Sequence, residues 1–163
     1  GRGSLGFETM TLDTWRYNQR INSEGAFFTL REAAKSMVAR AKAGDPGGGL
    51  VGTASLAGIE GAGRNQAYAH TKGGLIAMMN ACAVEYGRYG IRANSILPGW
   101  IATDMTEGAQ GNDAFATKVI TRVPIRRWGE PADFGGIAVY LASDASKYHS
   151  GDTLVIDGGY AKF

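Results

Sequence analysis

Three side chains are spaced for proton transfer: Ser55, Tyr68 and Lys72. Tyr68 and Lys72 stand at i and i+4, so on a helix they share a face with about 5–6 Å between their Cβ atoms. An ammonium beside a phenol favours the phenolate, and Lys72 is expected to pull the phenol below its ordinary value near 10. Ser55 ends a short apolar run, Leu50-Val51-Gly52-Thr53-Ala54, that reads as a buried strand. A hydroxyl delivered from a strand end to such a pair makes a site that can place a proton on, or take one from, a carbonyl or alcohol oxygen. Taken alone, Tyr-x-x-x-Lys is a weak signal, because a surface tyrosine over a solvated lysine has the same spacing.

The elements that must position these groups alternate along the chain. Residues 11–43 read as a helix, with Thr11 as cap, Asp13 in the first turn, and Leu12, Trp15, Ile21, Phe28, Ala33 and Met37 near helical spacing. The run from Gly44 to Gly49, with Pro46 inside it, ends that helix. A strand over 50–55 follows, then a helix over 66–89 with Leu75, Ile76, Met79 and Ala83 as its buried stripe and Gly90 as its stop. A strand over 91–97 closes at Pro98-Gly99. Residues 100–126 show weak periodicity and are expected to form a mobile loop with a short helix around 112–120. Pro131 suits the first position of a helix running to about Leu141, and a last strand covers 152–157. Strands separated by helices imply an α/β fold with parallel pairing through right-handed crossovers. Such a sheet takes its ligand at the carboxyl ends of its strands, where Ser55, Pro98 and Gly99 all fall.

Composition fits a soluble globular piece. The 163 residues allow one domain with a real core, and the 25 glycines fall largely at turns and helix starts. A net charge of +2 with scattered Lys and Arg gives no footprint for nucleic acid. The single cysteine, Cys82, excludes an internal disulfide and reads as a packed thiol. No apolar stretch approaches the roughly 20 residues of a membrane helix, and no secretory leader is visible, so a cytoplasmic location without membrane partners is expected. His70, two residues from Tyr68, should point off the reactive face. His149 shows no acidic or cysteine partner at ligand spacing, and no metal is expected.

Read together, the motifs resemble the short-chain dehydrogenase/reductase family nearly end to end. Asn22-Ser23-Glu24-Gly25 is similar to the family's Asn-x-x-Gly on its fourth helix, and Ser55-Leu56-Ala57-Gly58 to its serine loop. Tyr68-Ala69-His70-Thr71-Lys72 matches its Tyr-x-x-x-Lys. The run Ile91-Arg92-Ala93-Asn94-Ser95-Ile96-Leu97-Pro98-Gly99, with Ile101-Ala102-Thr103 after it, resembles the sixth strand and its turn. Arg127-Trp128-Gly129-Glu130-Pro131-Ala132-Asp133, Tyr140-Leu141-Ala142-Ser143-Asp144 and Asp157-Gly158-Gly159 resemble the closing helix and strand.

The resemblance implies the carboxyl-terminal part of a Rossmann-like doubly wound parallel sheet, a single partial domain ordered helix-strand-helix-strand-helix-strand. It implies an oxidoreductase that moves a hydride between NAD or NADP and a secondary alcohol or ketone. In that scheme Tyr68 is the acid/base, Ser55 orients the substrate oxygen, Lys72 bonds the nicotinamide ribose, and Asn22 holds, through its carbonyl, a water that links Lys72 to solvent. Pro98, Gly99, Ile101 and Thr103 match the nicotinamide-side loop. Trp100 and Met105 are expected to cover the substrate. The helices over 11–43 and 66–89 imply a homodimer or homotetramer. The family's glycine-rich dinucleotide turn has no counterpart here: Gly1-Arg2-Gly3-Ser4-Leu5-Gly6 follows no strand and reads as a flexible terminus. A chain of this kind is expected to begin just before the fourth helix and to be marginally stable alone. Gly52, where an apolar residue is usual, is expected to weaken its strand. Two other readings stay open: a sugar epimerase or dehydratase relative, and a non-catalytic assembly module.

Overall fold

A computed structural model describes residues 6–162; all but the last of the glycine-rich opening, Gly1 to Leu5, lies outside the described residues. Thr11 caps the first helix, its hydroxyl accepting the Thr14 amide at 3.2 Å. Helix α1 (Leu12–Asn18) passes into a π-helical turn (Gln19–Glu24) and then α2 (Gly25–Lys42). The single helix expected over 11–43 is therefore interrupted. A π turn adds a residue to one helical repeat, and such turns often mark functional positions.

Among the described residues, three strands form one parallel sheet in the order β1-β2-β3: β1 (Gly48–Thr53), β2 (Ile91–Pro98) and β3 (Thr153–Ile156). β1 starts earlier than the strand expected at 50–55 and ends before Ser55. α3 (Gln66–Tyr86) makes the crossover from β1 to β2, and a short 3-10 turn carries it to Gly90, whose φ of +71° ends the helix in the left-handed conformation. α2 and α3 cover one face of the sheet. Their core joins Ala34, Leu50, Ala54, Leu75, Met79, Ile91, Ala93 and Leu97, with Ile76 and Ala83 packed against it. The other face carries α6 (Gly135–Ala142), tied down where Arg92 donates to the Leu141 carbonyl at 2.8 Å. Val51 on that side stays 42% exposed. Pro131 opens a 3-10 turn (Pro131–Phe134) that leads into α6.

Two positions in the sheet centre explain themselves by space and polarity. A Cβ on Gly52 would stand 2.9 Å from Cγ of the fully buried Met79, so the glycine makes room for that side chain and its weak strand preference is offset by core packing. Beside it in the ladder, Ser95 is 0% exposed and its hydroxyl finds no partner among the described residues. A buried hydroxyl without a hydrogen bond is costly, so Ser95→Ala is expected to raise the unfolding free energy by about 1 kcal/mol. Urea unfolding checks this, and a loss of stability would show that the hydroxyl is bonded.

The segment 100–126 carries more helix than expected: α4 (Glu107–Gln110) and α5 (Asp113–Arg122) follow a 3-10 turn at Asp104–Thr106. Asn112 caps α5 by accepting the Phe115 amide at 3.1 Å, and Val119 with Val123 is buried beneath it. Local capping and an apolar anchor order what weak periodicity left open.

Candidate active site

Ser55 leaves the sheet at the carboxyl end of β1. The Ala54 amide still bonds the Ile96 carbonyl at 2.8 Å, and the chain then turns through a 3-10 turn (Leu56–Gly58) in which the Ser55 hydroxyl accepts the Ala57 amide at 3.2 Å. Tyr68 lies in the first turn of α3, where the neighbouring Ser55 hydroxyl favours its phenolate. Lys72, one turn on, holds its Nζ 5.6 Å from the centre of the Tyr68 ring and donates to the Thr53 carbonyl at 2.8 Å. The three groups expected to act together thus meet at the end of the sheet.

What lets them meet is a contact between two glycines. A Cβ on Gly58 would lie 2.9 Å from the Gly73 nitrogen and from the Lys72 carbonyl carbon, and one on Gly73 would lie 3.3 Å from the Gly58 oxygen. The serine loop and α3 touch backbone to backbone, which a side chain at Gly58 would not allow and one at Gly73 would allow only if the loop gave way by a few tenths of an ångström.

The electrostatics correct one expectation. Tyr68 is pushed above its ordinary value, chiefly because burial disfavours the phenolate; the neighbouring Ser55 hydroxyl opposes this without cancelling it. Burial likewise lowers Lys72. The ammonium is drawn to the strand-end carbonyl and lies beside the ring, so desolvation outweighs the lowering expected from Lys72.

Asn22 lies in the π turn. Its side-chain amide donates to the Thr71 hydroxyl at 3.1 Å, and its carbonyl accepts the Gly25 amide. Pro98 ends β2, and the Gly99 amide donates to the Ile156 carbonyl at 3.0 Å; a Cβ there would stand 2.6 Å from that of Asp157. Ile101 forms a bridge with Gly129, and its carbonyl accepts from the Thr106 hydroxyl at 2.6 Å. Thr103 and Thr106 cap one another reciprocally. Trp100 sets its ring edge-to-face with Phe115 and Trp128, at 5.2 and 5.8 Å, and lines a cleft of about 240 Å³ with Val123, Ile125, Arg127 and Asp157. Neither Ser55 nor Tyr68 lines that cleft. Met105 is exposed.

Arg127 clamps Asp133 with two bonds of 2.7 and 2.8 Å, and the Glu130 amide adds a third at 2.7 Å. The guanidinium first, then the amide, holds the carboxyl down to about 2 against an ordinary 3.8. A depressed carboxyl stabilises the fold above its unfolded value and loses that contribution as pH falls through the folded one. Asp133→Asn is therefore expected to flatten the fall of melting temperature between pH 3.8 and about 2 and to leave the neutral value little changed. An unchanged acid limb in a thermal melt series would refute this.

His70 packs away from the site: it lies 4.8 Å from the Trp15 ring and bonds Gln19 at 3.1 Å. For His149 the expected lack of an acidic partner is wrong. Its Nε2 meets Asp152 at 2.7 Å and its Nδ1 meets the Tyr140 hydroxyl at 3.0 Å. The signal was the i+3 spacing of His149 and Asp152 on one tight turn. Among the described residues no cluster of three His, Cys, Asp or Glu could hold a metal ion, and no helix is long and apolar enough to cross a membrane. Cys82 is half-buried, its thiol pushed up by burial and then by Glu85. Sequence reasoning missed the Gly58–Gly73 contact and Thr71, since each depends on distant chain segments.

Comparison with known proteins agrees with the fold. The family model described as Enoyl-(Acyl carrier protein) reductase matches residues 3–161. An L-rhamnose 1-dehydrogenase (NAD(P)(+)) of Azotobacter vinelandii is 38% identical over 138 residues, covering 85% of this chain and 52% of that protein. A 2-dehydro-3-deoxy-D-gluconate 5-dehydrogenase of Pseudoalteromonas atlantica is 36% identical over 148 residues, covering 91% of this chain and 56% of the relative. The crystal structure of a gluconate 5-dehydrogenase from Burkholderia cenocepacia in complex with NADP and tartrate superposes with a TM-score of 0.92 at 29% identity, over 98% of this chain and 60% of that one. The chain spans between half and two thirds of the length of these relatives. With its motifs in family order and the family model matched almost throughout, the chain belongs to the short-chain dehydrogenase/reductase family.

Proposed function

We propose that this chain carries the proton-transfer and nicotinamide-side half of an oxidoreductase acting on a secondary alcohol or ketone, with NAD or NADP as cofactor. The observation that supports it is the Tyr68 phenol lying beside the Ser55 hydroxyl while Lys72 lies 5.6 Å from its ring, at the carboxyl ends of parallel strands. The sugar and sugar-acid dehydrogenases among its relatives favour a polyol, sugar or sugar-acid substrate.

The residues present fit a nicotinamide nucleotide. Lys72 donates one of its three N–H groups to the Thr53 carbonyl, which leaves two to donate to ribose hydroxyls. Tyr68 and Lys72 would hold the ribose, and the Pro98–Thr103 loop, with Gly99 and Ile101, would line the nicotinamide side. When bound, the cofactor gives or takes the hydride. Tyr68 then gives its proton to the substrate oxygen in reduction and removes it in oxidation. Ser55 donates to that oxygen and fixes its place beside the phenol, stabilising the charge that develops there. Asn22, by its carbonyl, would hold the water that connects Lys72 to solvent. The exposed Ile21, Phe27 and Phe28 favour self-association through α1–α3, which sedimentation of the protein reads directly.

The test is turnover of a panel of secondary alcohols and ketones, with each nucleotide, by the protein including whatever coding sequence precedes Gly1. Oxidation or reduction of a polyol or sugar acid is expected. No turnover, together with no shift of reduced-nucleotide fluorescence, would leave the assembly-module reading in its place.

A further inference from the structure

We propose that Thr71 is a positioning residue for the Tyr68 phenol, the joint through which the π turn fixes the reactive turn of α3. The proposal rests on the function proposed above. Thr71 is 1% exposed, although it stands in sequence between two residues of the candidate site, Tyr68 and Lys72. Its hydroxyl makes two bonds at once. It donates to the Tyr68 carbonyl at 2.7 Å and accepts the Asn22 side-chain amide at 3.1 Å. One proton and one lone pair are thereby used in opposite directions, so the bond to Asn22 and the bond to Tyr68 polarise each other.

The geometry around the joint gives it leverage. The π turn moves Asn22 out of a regular helical repeat and sets its amide against α3. The same turn meets α3 again one turn away, where Gln19 bonds His70 at 3.1 Å and Ser23 supports Gln19 at 3.0 Å. The Gln19–His70 contact is exposed, whereas the Asn22–Thr71 bond is part-buried and ends on a fully buried threonine. Tyr68 sits in the first turn of α3, where helix ends fray, and Asn65 supplies no side-chain cap. A buried hydroxyl bonded to the Tyr68 carbonyl holds that turn against fraying. The phenol is thus aimed by its own backbone, tied to a neighbouring helix, as well as by Ser55.

The experiment compares Thr71→Val and Thr71→Ser in the full-length protein. T71V keeps the shape and removes both bonds; T71S keeps both. T71V is expected to lower kcat about 10–100-fold, as small misplacements of a reacting group do, with KM for the nucleotide unchanged. T71S is expected to restore kcat. In protein labelled with 13C at tyrosine Cζ, and with the Tyr68 signal assigned by its loss in Y68F, T71V should shift or broaden that signal alone while T71S leaves it in place. Adding N22A to T71V should cause no further change in the signal. A T71V protein that melts lower yet keeps kcat per folded molecule and the Tyr68 signal would overturn the proposal. If the wild type shows no turnover, the proposed function fails, and the Tyr68 signal still decides on Thr71. Should T71V not fold, T71A against T71S carries the same comparison.

Discussion

Tyr68→Phe is expected to cut turnover by about 10²–10⁴-fold, the range that a positioned acid or base contributes. The substitution removes one oxygen from a ring that stays packed, and Lys72 keeps its bond to the Thr53 carbonyl. Nucleotide affinity should therefore stay close to wild type, which fluorescence titration reads separately from rate. The direction of the phenol's shift adds a pH signature. Burial raises Tyr68, so the protonated form needed for ketone reduction persists across neutral pH, whereas alcohol oxidation, which needs the phenolate, should climb as pH rises into the alkaline range. In Y68F that climb should vanish. Retained turnover would place the proton donor on another side chain.

The second large effect is expected at Gly58. A valine there would drive its Cβ into the backbone at Lys72 and Gly73, which cannot give way as a flexible side chain would. The serine loop must then lift from α3, carrying Ser55 away from Tyr68. A displacement of about 1 Å at a reacting group costs on the order of 10²-fold in rate, and overpacking costs about 1–3 kcal/mol in stability. Gly61→Ala is the control, because nothing lies within 4 Å of a Cβ at that place. It should leave rate and melting point alone. Equal effects from both substitutions would mean that the close approach is not what aligns the serine.

Much of this was legible in the residues. Ser55, Tyr68 and Lys72 could be found because their spacing is local or anchored to a strand end, and the alternation of apolar runs with helical stripes gave the parallel α/β order. What escaped depends on the third dimension. A π turn at Gln19–Glu24 differs from an α-helix by a single residue, and apolar spacing cannot resolve that. Gly52 reads as a defect until Met79 is placed against it. The sign of the Tyr68 shift required the balance between burial and a charge, and only coordinates supply that balance. The segment 100–126 misled because its order comes from caps at Thr103 and Asn112 and from buried Val119, while its periodicity stays weak.

The Thr53 carbonyl, last of its strand, grips the lysine of the neighbouring helix. Sheet and helix consequently cannot drift apart without leaving a half-buried cation stripped of its anchor. Heat or denaturant that loosens this junction should dismantle reactivity and regular structure in one cooperative event, with no populated form that keeps its folds but has let go of its chemistry.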